Sequence, residues 1–122
     1  MTKFLFYWFP TIVWALLIFV FSSIPVFPKA QCAPAFLDKV VHFGEYFILT
    51  MLLTRSLIYS YKIKRKELCY LAVAIVFLYA FVDEAHQFLV PPREPDFLDF
   101  VSDIIGSAFG TMTYFFLFLR KK

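Results

Sequence analysis

Residues 83 to 87 read DEAHQ and stand between LYAFV and FLVPP, so two carboxylates, an imidazole and a carboxamide interrupt a segment that otherwise has the composition of a membrane span. Groups of these types move protons, accept hydrogen bonds from hydroxyl groups and ligate divalent cations. Two further stretches carry the same chemistry: Asp38, Lys39, His42 and Glu45 in LDKVVHFGE, and Arg93, Glu94, Asp96, Asp99 and Asp103 in REPDFLDFVSD. Asp38, His42 and Glu45 are spaced i, i+4, i+7, and Asp96, Asp99 and Asp103 i, i+3, i+7, so on helices each set forms a stripe along one face. Within DEAHQ, Asp83, His86 and Gln87 fall inside about 100° of helical arc, and Glu84 lies about 60° beyond Gln87.

The letters DEAH also mark a strand end in nucleic-acid helicases, but such an enzyme needs a phosphate cradle of the form G-x-x-x-x-G-K-[ST]. The three glycines, Gly44, Gly106 and Gly110, form none, and 122 residues are too few for a helicase core. Two histidines among many carboxylates suit Zn²⁺ or Mn²⁺ by ligand type, whereas carboxylates alone suit Mg²⁺ or Ca²⁺. His42, Glu45, His86 and Asp103 are the candidate metal ligands. The chain has no short metal signature such as H-E-x-x-H, so a divalent metal is compatible with the residue types and is not dictated by a motif.

The elements that must position these groups follow from composition. Hydrophobic residues make up 61 % of the chain and aromatic residues 22 %, with a mean hydropathy of +0.74. A soluble domain is roughly half apolar. At roughly 20 residues per bilayer crossing, the 122 residues hold four helices with short connections, in a single domain. Residues 4 to 24 carry no charge and end in the proline-marked PVFPKAQCAPA. The other helices are predicted over about 36–59, 68–90 and 97–119, with a basic linker from Tyr61 to Glu67 and a proline-rich one from Pro91 to Asp96. The expected fold is an all-α membrane protein, a four-helix transmembrane bundle.

Lysine and arginine concentrate on the cytoplasmic side of membrane proteins. Lys3, Arg55, Lys62, Lys64, Arg65, Lys66, Arg120, Lys121 and Lys122 fall on one side of a four-crossing arrangement, against Lys29, Lys39 and Arg93 on the other. Nine against three puts both termini in the cytoplasm and the polar stretches on the extracytoplasmic side of the cell membrane. Eight carboxylates share that outer side, and only Glu67 lies inside. Attraction to anionic lipid headgroups accounts for the basic side without a nucleic-acid partner. The first helix is too long for the apolar core of a signal peptide. Cys32 and Cys69 fall on opposite sides of roughly 30 Å of hydrocarbon and cannot pair within one chain; the oligomeric state is left open.

Depth sorts the polar residues. Glu94 and Asp96 read as solvated loop or helix-start groups. His42, Glu45, Glu84, His86, Gln87 and Asp103 lie about one turn or more inside predicted spans, where a charged side chain costs at least ~2.5 kcal/mol near the centre. They are functional-site candidates, and their stripes on three helices converge on one layer. Ser102, Gly106 and Gly110 repeat at four-residue spacing near the Asp99 and Asp103 stripe, marking a face for close helix packing.

The stretch FLDKVVHFGEYFIL resembles the VanZ-like family of small integral membrane proteins, matching D-K-x-x-H-F-x-x-Y through Asp38, Lys39, His42, Phe43 and Tyr46. VDEAHQFLVPPREPDFLDFVSDIIGSAFG resembles the family's D-E-x-x-Q-x-F-x-P-x-R and D-x-x-x-D-x-x-G through Asp83, Glu84, Gln87, Leu89, Pro91, Arg93, Asp99, Asp103 and Gly106. Leu89 stands where an aromatic is usual, and Pro92 where glycine precedes the arginine. The resemblance spans about residues 36 to 110. It implies a cell-envelope protein linked to resistance to the glycopeptide teicoplanin, and it supplies no reaction.

Three functional readings follow. In the first, the outer polar layer binds, or modifies, a lipid-linked or cell-wall-related ligand or a glycopeptide, with Asp38, Lys39, Glu45, Asp83, His86, Gln87, Arg93 and Asp99 as binding groups. Arg93 offers a fork for phosphate or carboxylate. In the second, the protein is an intramembrane hydrolase or transferase in which Glu84 or Asp103 acts as general base beside His42 or His86, with Glu84, His42 and Asp103 the catalytic candidates. In the third, it is a non-catalytic membrane partner whose polar layer only fixes helix packing.

Overall fold

The computed structural model describes residues 2–24, 35–91 and 96–120. Four α-helices account for nearly all of them: α1 (Thr2–Ser23), α2 (Ala35–Ser60), α3 (Arg65–Phe88) and α4 (Phe97–Tyr114), the last continued by a π-helical turn over Phe115–Leu119. There is no strand among the described residues. The helices match the sequence-based ranges closely, with one correction. The second connection is shorter than Tyr61 to Glu67, because α3 starts at Arg65 and takes Arg65 and Lys66 into its first turn with Glu67, which faces the positive helix end, leaving Lys62 and Lys64 in the connection.

Each boundary has a local cause. Tyr61 N–H still bonds to the Leu57 carbonyl at 2.9 Å before the chain leaves α2. At the end of α3, Leu89 and Val90 N–H bond back to His86 and Gln87 in tight last-turn fashion, and Pro91, which has no N–H, cannot extend the ladder. Asp96 caps α4, its carboxylate accepting from Leu98 N–H at 2.9 Å.

Cross-helix contacts give the topology. Trp8 Nε1–H donates to Ser60 Oγ at 2.7 Å, Thr11 pairs with Ser56 at 2.8 Å, and Trp14 Nε1–H donates to the Glu45 carbonyl at 2.9 Å, so α1 and α2 are antiparallel. Tyr79 of α3 donates to the Ala15 carbonyl while His86 meets Ser23, so α1 and α3 are parallel. Gly106 lies against Phe43 and Gly110 against Phe47, so α2 and α4 are parallel as well. The bundle thus runs up, down, up and down. Thr2 and Arg120 share one end, and the starts of α2 and α4 share the other with the end of α3.

Three helical segments, Thr2–Ser23, Arg65–Phe88 and Phe97–Leu119, are long and apolar enough to cross a membrane. Their outer faces expose large apolar side chains such as Phe9, Leu16, Leu78, Phe81 and Phe109, as lipid-facing surfaces do. The helix α2 is 26 residues long but carries Asp38, Lys39, His42, Glu45 and Arg55. It tolerates them because it is central, packing against all three of the others. Tyr46, Leu49, Leu53 and Leu57 of α2 meet Ile18 of α1 and Leu68, Ala72, Val76 and Ala80 of α3, the latter spaced four residues apart. Toward α4 the buried residues are small or polar, including Gly106, Ser107, Gly110 and Thr111. Near the terminal end, the Arg55 guanidinium lies over the Tyr7 ring at 4.8 Å from its centroid, and Tyr7 stacks on Tyr59 at 4.3 Å.

Candidate functional site

Parallel packing of α2 on α4 brings the two acidic stripes into register. Gly106 and Gly110 permit it: a Cβ on either would collide with the backbone of Phe43 or Phe47. One and two turns toward the starts of these helices, the side chains that face each other are charged. His42 Nδ1 lies 2.9 Å from Asp103 Oδ1, and His42 Nε2 lies 3.6 Å from Asp99 Oδ2. Lys39 Nζ donates to Asp96 Oδ2 at 2.6 Å and to Asp99 Oδ1, and lies 3.7 Å from Asp38. Lys39 therefore closes the rim of the layer, neutralising the carboxylates at the start of α4. The reading of Asp96 as a helix-start group agrees with its cap, to which the Lys39 bond is an addition.

DEAHQ is divided among its neighbours. Asp83 Oδ2 accepts from the Tyr46 hydroxyl of α2 at 3.2 Å. Gln87 Nε2–H donates to Ser22 Oγ of α1 at 3.0 Å. His86 Nε2 pairs with Ser23 Oγ at 3.0 Å, and its ring stacks on Phe19 with centroids 4.6 Å apart. Glu84 alone turns to the α2–α4 seam, where one of its oxygens lies within 4.8 Å of ligand atoms of both His42 and Asp103. The three residues named for acid–base work, Glu84, His42 and Asp103, are thus together.

The binding candidates Asp38, Lys39, Asp99, Asp83 and Gln87 belong to the same polar end, but Gln87 and His86 are committed to α1. Of the four candidate metal ligands, His42 and Asp103 share a ligand group with Glu84, while Glu45 and His86 join no such group among the described residues. Arg93 and Glu94 lie outside the described residues. Helix α1 contributes Ser22 and Ser23, which sequence reasoning passed over. Two adjacent serines closing an apolar run were the available signal.

Burial sharpens the chemistry. His42, Asp83, Glu84, Gln87, Asp99 and Asp103 are all buried, Asp103 completely. Both carboxylate oxygens of Glu84 and Asp103 Oδ2 have no hydrogen-bond partner among the described residues. A buried acceptor without a donor costs about 1–3 kcal/mol, and more when charged. Such an arrangement can accept donors from an incoming molecule, hold a cation, or take up a proton. By contrast, a cavity of about 270 Å³ lined by Tyr59, Arg65, Tyr114 and Phe118 lies at the terminal end, away from these groups.

No curated protein and no solved structure matches the chain. The sequence model of one family, described as VanZ/LLP1, matches residues 4–119, which include the apolar helix α1 as well as the three helices that carry the polar layer. With its membrane-crossing helices, this chain is a membrane protein that belongs to the VanZ/LLP1 family.

Proposed function

We propose that the protein is a multi-pass cell-membrane protein whose polar end binds the headgroup of a lipid-linked or cell-wall-related ligand on the extracytoplasmic side, and so links it to glycopeptide resistance. The observation that carries this reading is Glu84, a buried carboxylate with neither oxygen paired among the described residues, set against His42 and Asp103. A layer serving only to fix helix packing gains most when every buried acceptor is satisfied. Here the helices already meet through apolar and small-residue contacts, and the unpaired oxygens are an added cost. That cost is offset when hydroxyl or amine donors of a headgroup, or a cation, reach them.

A second reading uses the same atoms. Asp103 is within hydrogen-bond distance of His42 and fixes its ring, which is the arrangement of an oriented general base, with Glu84 as the partner acid. It describes an intramembrane hydrolase or transferase acting on that same ligand.

Both readings require α2 to cross the membrane with the other helices and the polar end to face outward, as the lysine and arginine asymmetry implies. Cys69 is buried in α3 and is a poor reporter of side. The test therefore uses Cys32 in a Cys69→Ser background, and separately Lys64→Cys in a Cys32→Ser, Cys69→Ser background. The Lys64 side chain is 86 % exposed beside the first turn of α3. A membrane-impermeant thiol reagent applied to intact cells should label Cys32 and leave the position-64 cysteine unmodified until the membrane is permeabilised. The reverse pattern puts the polar layer on the cytoplasmic side and removes the external ligand.

A further inference from the structure

Glu84 and Asp103, whose carboxylates carry oxygens without a hydrogen-bond partner among the described residues, lie together with His42. One ligand atom from each of His42, Glu84 and Asp103 lies within 4.8 Å of the other two. Around a cation bound at about 2.0–2.2 Å to each ligand, two ligand atoms are at most about 4.4 Å apart, so a small inward shift closes this set. Glu84 is 9 % exposed and Asp103 0 %, so water does not stand in freely for a missing partner.

A second set, Asp38, His42 and Asp99, has the same spacing. There the compensating charge is already present: Lys39 Nζ bonds to Asp99 and lies 3.7 Å from Asp38. No lysine or arginine pairs with Glu84 or Asp103 among the described residues, and His42 alone faces both carboxylates. Two buried carboxylates side by side repel unless a proton or a metal comes between them.

We infer that His42, Glu84 and Asp103 together bind one divalent cation of the Zn²⁺ or Mn²⁺ class, one helix supplying each ligand. One imidazole and two carboxylates suit these metals better than Ca²⁺, which takes oxygen ligands only. Binding displaces any proton shared between His42 and Asp103, because metal ligands must be deprotonated. Three protein ligands leave at least one coordination position, which a water or a headgroup oxygen can fill. The inference deepens the ligand reading by naming a cofactor for the same site, yet it stands without any lipid ligand.

The test uses the full chain, purified in detergent, stripped with chelator and titrated with Mn²⁺ alone. About one saturably bound ion per chain is expected, with a ¹⁴N modulation in its pulsed electron paramagnetic resonance from one imidazole. His86→Ala should keep that signal and His42→Ala should lose it. Glu84→Gln, nearly isosteric, should lower Mn²⁺ affinity at least tenfold with an unchanged helical circular dichroism spectrum, and Zn²⁺ should displace Mn²⁺ from the wild type. No saturable binding to the folded wild type, a bound ion without ¹⁴N modulation, or modulation that survives His42→Ala overturns the inference. Tight Mn²⁺ binding together with glycopeptide susceptibility unaffected by Glu84→Gln overturns the ligand reading instead and leaves the cation site standing.

Discussion

Glu84→Gln should return cells that depend on this protein to the teicoplanin susceptibility of cells without it, while the variant inserts normally and melts no lower than the wild type in detergent. The two halves of this expectation have one cause. The Glu84 carboxylate is buried and unpaired among the described residues, so it contributes little to the fold and its conversion to a neutral amide relieves a desolvation cost. Truncating one side of a buried charged contact costs a bound partner about 2–5 kcal/mol. At about 1.4 kcal/mol per tenfold in affinity, that exceeds what a binding function survives. His42→Ala should lose function equally but should also melt lower, because it leaves Asp103 and Asp99 facing each other with the imidazole gone. Susceptibility assays paired with detergent melting curves separate the two variants. A Glu84→Gln protein that confers full resistance, or one that loses resistance only because it melts earlier, contradicts a functional role for this carboxylate.

Gly106→Leu should prevent α2 and α4 from docking and so remove both the fold and the site. A Cβ at position 106 already runs into the Phe43 carbonyl, and one at 110 into that of Phe47, and backbone cannot swing aside as a side chain can. Overpacking a close helix contact costs typically about 1–3 kcal/mol, and a leucine forced against backbone lies at or above the upper end. The bilayer gives no hydrophobic compensation, since lipid tails are as apolar as the displaced contact. Gly44 is the internal control. Nothing lies within 4 Å of a Cβ there, so Gly44→Ala should be neutral or gain up to about 1 kcal/mol from helix propensity. Thermal unfolding in detergent is the measurement, and a Gly106→Leu protein with the wild-type melting temperature would mean that this face does not carry α2.

The helices were legible because hydrophobic runs bounded by prolines and charges leave few alternatives, and the convergence of the polar ends follows from alternating helices that begin or end with ionisable residues. That the α2 and α4 stripes share one layer was legible too, since both lie on helices that start at one end, but the direct contact of His42 with Asp103 is set by the packing of those helices. What periodicity could not assign was the partner of each DEAHQ residue. Glu84 and His86 point about 160° apart on α3 at ~100° per residue. The neighbour each one meets depends on how α3 sits between α1 and α4, which is a matter of packing. So Glu84, set apart from the main arc, is the residue that reaches the seam, and His86 turns to Ser23. Ser22 and Ser23 were missed because small hydroxyl residues beside a loop carry no periodic signal. The ion pairs that hold Lys39, with Asp96 and Asp99, were not legible either, because they depend on how the start of α4 sits beside α2.

His42 sits between the Asp99 and Asp103 carboxylates of α4 whereas His86 meets the Ser23 hydroxyl, and the chain has only these two histidines. The direct measurement is ¹⁵N–¹³C dipolar recoupling by solid-state nuclear magnetic resonance, with ¹⁵N in the histidine rings and ¹³C in the aspartate and glutamate carboxyls of protein in lipid bilayers. His86→Ala assigns the two ring signals. The His42 ring, with Nδ1 2.9 Å from a carboxylate oxygen of Asp103, should show strong dephasing, and the His86 ring, paired with the Ser23 hydroxyl, much weaker dephasing. Weak dephasing at His42, or equal dephasing at both rings, would contradict the site.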